Sequence, residues 1–134
     1  MSAYRIWSSC DLGDKVYVQG MYNNKGHICR KSDNSVVGIT EPDGATATEL
    51  LNFHKFVNNV AAVRTASGHF HLNLTTLEPV IYKDPETGKC LSYFSKTKSN
   101  RHGTRIYDSR RVYDVDPESG LITRTKFRWF RWFF

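Results

Sequence analysis

Six basic residues, Lys96, Lys98, Arg101, Arg105, Arg110 and Arg111, stand within one short stretch of the chain, with His102 among them. Asp108 is the sole acid in that stretch. Threonine, serine and asparagine fill the gaps in Lys96-Thr97-Lys98-Ser99-Asn100-Arg101-His102-Gly103-Thr104-Arg105. Lysine, arginine, hydroxyl and amide donors are the groups that contact phosphate and sugar oxygens. Gly103 lets a backbone approach closely. Tyr93, Phe94, Tyr107 and Tyr113 flank the stretch, as base-stacking groups or as cross-strand packing. The chemistry expected of Lys96, Lys98, Arg101, His102, Arg105, Arg110 and Arg111 is therefore nucleic-acid binding by a basic loop.

Charge supports this reading. The net charge of +6 is not spread evenly. Residues 1–82 carry seven Lys/Arg and seven Asp/Glu; residues 83–134 carry twelve against six. A local excess attracts polyanions, whereas a general solubility bias would be uniform.

The second group is the C-terminal run Phe127, Arg128, Trp129, Phe130, Arg131, Trp132, Phe133 and Phe134. As a strand, each of its faces carries three aromatics and one arginine, so neither is a solvent face. Such a run is expected to pack on its own domain, on a protein partner or copy of itself, or on nucleic acid. Aromatics and arginine are the residues enriched at protein interfaces.

Histidines form the third group. In His69-Phe70-His71 an extended strand sets both imidazoles on one face, about 7 Å apart. That separation suits a shared metal or acid–base work on a phosphodiester. His27, Cys29 or His54 would have to supply a third ligand, and no spacing links them to the pair. A metal-independent ribonuclease or toxin would draw on His69, His71, His102 and Arg105. No nucleotide-binding glycine loop, zinc-protease helix motif or nucleophile elbow occurs. No catalytic residue, metal or cofactor is assigned.

The elements that must carry these groups read as short strands. Tyr4–Trp7, Lys15–Val18, His27–Arg30 and Ser35–Ile39 are rich in aromatic and β-branched residues. Turn residues separate them at Asp11-Leu12-Gly13-Asp14, Asn23-Asn24-Lys25-Gly26 and Glu41-Pro42-Asp43-Gly44. From Thr46 to Val60 the spacing of Leu50, Phe53, Val57 and Val60 predicts an amphipathic helix, with Thr46 and Glu49 as its capping box. From His69 to Thr75 alternation predicts a half-buried strand, with Phe70, Leu72 and Leu74 inward. Asp84-Pro85-Glu86-Thr87-Gly88 recurs as Asp116-Pro117-Glu118-Ser119-Gly120. In each, aspartate, proline and a left-handed glycine predict a hairpin turn. The strands joined are Val80–Lys83 with Cys90–Phe94, and Arg111–Val115 with Leu121–Arg128.

Together these features predict an α+β fold over residues 1–134 as one domain. It has a mainly antiparallel twisted sheet of short strands and hairpins, with one helix packed at 46–60. Residues 1–82 form a neutral scaffold part and 83–134 a basic, aromatic hairpin part with a contact tail. Three cysteines without a CxxC pair and no signal-like start place the chain in a reducing cytoplasm, in a host cell or virion if viral. No apolar run is long enough for a membrane span. The expected function is a non-enzymatic basic protein acting on nucleic acid or a nucleoprotein complex, as a phage or viral accessory factor would. The alternative is a virion structural subunit whose tail docks into its neighbour.

Overall fold

The computed structural model describes residues 6–20, 25–57, 59–100, 103–108 and 111–127. All of the regular structure in them is β. β1 (Ile6–Asp11), β2 (Lys15–Gly20), β3 (Gly26–Arg30) and β4 (Val36–Val37) form an antiparallel sheet in chain order. β5 (Ile39–Thr40) and β6 (Thr46–Ala47) make a short ribbon. β7 (Asn52–Val57), β8 (Val60–Thr65) and β9 (Gly68–Asn73) form a meander. The largest sheet contains β10 (Tyr82–Lys83), β11 (Cys90–Leu91), β12 (Lys96–Asn100), β13 (Gly103–Asp108), β14 (Arg111–Asp116) and β15 (Leu121–Phe127). Its spatial order is β11-β10-β15-β14-β13-β12. No described helix is long and apolar enough to cross a membrane.

The helix expected over 46–60 is overturned, and with it the α+β class. Thr46 lies in β6 opposite Thr40, and Glu49 caps nothing: its carboxylate meets Lys25 Nζ at 3.5 Å. β7 pairs antiparallel with β8, Phe53 opposite Val63 and Val57 opposite Val60. The helical spacing has a physical origin. The register shifts between Lys55 and Val57, and a bulge reverses the inward–outward alternation of a strand. Apolar residues at 53, 56 and 57 then mimic the three-to-four spacing of a helix. Aromatic and β-branched side chains favour the strand, and the asparagines at 58 and 59 favour a turn.

The two Asp-Pro hairpins form as expected. Asp84 Oδ1 accepts from the Glu86 amide at 2.9 Å, and Asp116 Oδ1 from the Glu118 amide at 3.1 Å. Gly88 and Gly120 both adopt the left-handed conformation, at φ 75° and 73°. The two turns also meet. Lys83 N–H donates to Gly120 O at 3.0 Å, and β10 runs parallel to β15 there.

One core draws on every sheet. Tyr17, Ile28, Ile39, Leu50, Val63, Phe70, Leu72, Tyr82, Ile106, Tyr113 and Ile122 are all buried in it. Phe70, Leu72 and Leu74 point inward, as alternation predicts. The opposite face of β9 is not solvent, however, because His71 is fully buried there.

Candidate nucleic-acid interface

The stretch expected as a basic loop is a β-hairpin. Thr97, Thr104, Ile106, Tyr113, Val115 and Ile122 alternate along β12 to β15. Apart from the half-buried Thr97 these are all buried, and the last four belong to the core. Period-two alternation sends the intervening residues, mostly charged, to the outer face.

Register arranges that outer face in rows across four strands. Lys98, Arg105, Asp114 and Arg124 are paired in succession, and so are Lys96, Tyr107, Val112 and Lys126. Neighbours within a row are about 4.8 Å apart, and the rows are about 7 Å apart. These two rows thus bring together Lys96, Lys98, Arg105 and Arg124, with Asp114 as the acid among them. Lys96, Lys98 and Arg124 are exposed, and Arg105 and Asp114 are half-buried. Tyr107 and Val112 are buried, and Lys96 Nζ lies 4.8 Å from the Tyr107 ring centroid.

Asp114 is the counter-charge. Its Oδ1 accepts from Arg105 Nε at 3.0 Å. This pairing raises the Arg105 pKa, against a smaller opposing effect of burial. Asp114 lies between Arg105 and Arg124, while the residue opposite Lys98 is Arg105 itself. Like charges directly opposite are destabilising across a strand pair.

Of the residues expected to bind, Lys96, Lys98 and Arg105 share this face. Arg111 pairs with Phe127 at the end of β14, and alternation puts it on the face of Tyr113 and Val115. Arg101, His102 and Arg110 lie outside the described residues. So do Arg128, Trp129, Phe130, Arg131, Trp132, Phe133 and Phe134; Phe127 is the last residue of β15. Arg124 escaped the sequence reading. Plain alternation puts it on the face of the buried Ile122, and only the register shift beside Asp114, which makes Thr123 an extra residue, turns it outward. Stacking on bases is closed to Phe94, Tyr107 and Tyr113, which are buried. Tyr93 is half-buried, edge-on to Phe70, with its hydroxyl donating to Glu41 at 3.2 Å.

His71 is removed from surface chemistry. Its Nδ1 lies 2.5 Å from the Tyr82 hydroxyl and its Nε2 lies 2.9 Å from the Thr97 hydroxyl. Thr97 in turn donates to Arg105 O at 3.4 Å. This chain of donors fits a neutral imidazole protonated on Nε2. Burial lowers the His71 pKa to about 3 and raises that of Tyr82, which keeps its proton to donate. His71 is thus closed in between Tyr82 and Thr97 and does not share an open surface with His69. Among the described residues no group of three or more His, Cys, Asp or Glu is placed to hold a metal. Neither a model of a known protein family nor a curated protein matches the chain.

Proposed function

We propose that this chain is a non-enzymatic protein that binds nucleic acid, alone or in a nucleoprotein complex, on the outer face of its six-stranded sheet. The observation that carries this reading is the row structure. Lys96, Lys98, Arg105 and Arg124 come from β12, β13 and β15 and share two adjoining rows of one face, with Asp114 as the one acid in those rows. A phosphate backbone carries regularly spaced negative charge, and rows of basic side chains on a sheet face match it. The free thiols of Cys10, Cys29 and Cys90 suit a reducing compartment such as the cytoplasm.

The test is binding of a fluorescent mixed-sequence oligonucleotide by the Lys98→Glu/Arg124→Glu double variant. Both side chains are exposed, so the variant should melt like the wild type. Its affinity should fall by roughly 10-fold or more at moderate salt. Wild-type affinity in the folded variant would refute this face as the contact surface.

A further inference from the structure

One side of the three-stranded sheet is exposed at Asn52, His54 and Arg64 and closes inward to the buried His71. Two rows cross β7, β8 and β9: Asn52, Arg64 and His69, then His54, Ala62 and His71. Ala62 is the one small side chain in these rows and leaves a hollow between larger neighbours. The segment leading into β12 runs along the β9 edge, where Phe94 N–H donates to His69 O at 3.0 Å. It closes the hollow into a cleft of about 240 Å³, lined by Asn52, His54, Ala62, His69, Phe94 and Lys96 among others.

We infer that this cleft receives one unstacked base of a single-stranded nucleic acid whose phosphates lie on the adjoining basic face. The inference rests on the reading of that face and adds a substrate class to it. Pockets that enclose drug-sized molecules hold about 300–1,000 Å³. This cleft is smaller, so it takes one planar group and not a whole ligand. Its floor is apolar, where Ala62, Val63, Phe70 and Phe94 border it, and polar groups stand at the rim. Asn52 Oδ1 accepts from Phe53 N–H at 2.9 Å, which leaves the amide donors for a base edge. His69 is held below the usual histidine pKa by burial and by the charge of Arg64. At neutral pH it is an uncharged ring with one donor and one acceptor. Imidazole rings also stack on bases.

Lys96 links the two surfaces. Its ammonium lies over Tyr107 on the outer face, and the same residue borders the cleft. Phosphates next to a seated base therefore fall toward Lys96 and Lys98. A duplex would first have to unpair and extrude the base, at a cost of a few kcal/mol.

The experiment measures anisotropy of labelled single-stranded DNA and RNA of one sequence, and of the matching duplex. Dextran sulfate serves as a base-free polyanion in competition. Ala62→Leu fills the hollow. Asn52→Ala, at an exposed position, removes a donor without altering the core. Thermal melts establish that each variant is folded. The wild type should prefer single strands of one or both sugars to duplex. Ala62→Leu should weaken single-strand binding roughly 5- to 150-fold, and Asn52→Ala should weaken it less. Duplex and dextran sulfate binding should not change. Single-strand affinity unchanged in both folded variants overturns the inference while leaving the basic face standing. So does equal wild-type affinity for single strand and duplex. Absence of wild-type binding to every polyanion overturns the basic face, and the cleft with it.

Discussion

His71 is the clearest case of one residue holding elements together. Its imidazole sits between the Tyr82 hydroxyl of β10 and the Thr97 hydroxyl of β12, with Phe56 and Phe94 against its ring. It joins the three-stranded sheet to the six-stranded one and must stay neutral to do so. The folded pKa of about 3 lies below the unfolded value, which is about 6.5. As pH falls, the unfolded chain takes up the proton first. The stability that neutral His71 provides is complete above about pH 6.5 and is lost progressively down to about pH 3. The wild-type melting temperature should therefore drop between pH 7 and 5, and His71→Phe should flatten that drop. Equal slopes in the two proteins would mean the imidazole is not buried neutral. Gly26 is a second such residue. Any Cβ there would run into the Tyr17 ring, and Gly26 exchanges two backbone hydrogen bonds with Leu50, at 2.8 and 2.9 Å. Gly26→Ala should cost about 1–3 kcal/mol by overpacking, read from a denaturant titration. A titration that overlays the wild type would show that the ring moves aside freely.

At the scale of elements, β7 decides the fold class. Far-UV circular dichroism should lack the double minimum of a helix. Phe53→Ala should cost about 2 kcal/mol, since the half-buried ring stacks on Tyr17 at 4.2 Å between centroids. A helical spectrum, or a Phe53→Ala melt like that of the wild type, would contradict β7 as a strand. The same element shows what was legible in the sequence. Inward residues were readable even where the element was not: Leu50 and Val60 are buried in the β fold as they would have been in a helix. Turn chemistry was local and therefore legible, as the two Asp-Pro-Glu turns show. The bulge at Lys55 was not, because an extra residue in a ladder is defined by the partner strand. The basic stretch was legible as charge. Its conversion from loop to hairpin depended on Thr104, Ile106, Tyr113 and Val115 sharing one buried face. Long-range register brought in Arg124, and no short window of sequence contains that information. His71 lay on the side of β9 expected to be polar, and Phe56, Tyr82, Phe94 and Thr97, from three other parts of the chain, close over it.

For the whole molecule, the neutral and basic parts of the chain are not separate bodies in packing terms. Tyr17, Ile28 and Val63 share a core with Ile106, Tyr113 and Ile122. The asymmetry is one of surface. Three lysines outside the large sheet meet acids: Lys31 Nζ lies 2.8 Å from Asp11, Lys15 Nζ 3.3 Å from Asp14 and Lys25 Nζ 3.5 Å from Glu49. On the outer face of the large sheet Asp114 serves Arg105 alone by direct contact. Polyanion binding should follow that face and not the net charge. The decisive measurement is oligonucleotide affinity across a salt series for the wild type, for Lys96→Gln/Lys98→Gln/Arg105→Gln/Arg124→Gln, and for the control Lys15→Gln/Lys31→Gln. Removing one bound phosphate flattens the slope of log K against log salt by roughly 0.7–0.9. The fourfold variant should bind weakly with a slope shallower by about 3, while the control keeps the wild-type slope. Equal slopes in the wild type and the fourfold variant, or equal flattening in the control, would contradict the sheet face as the nucleic-acid surface.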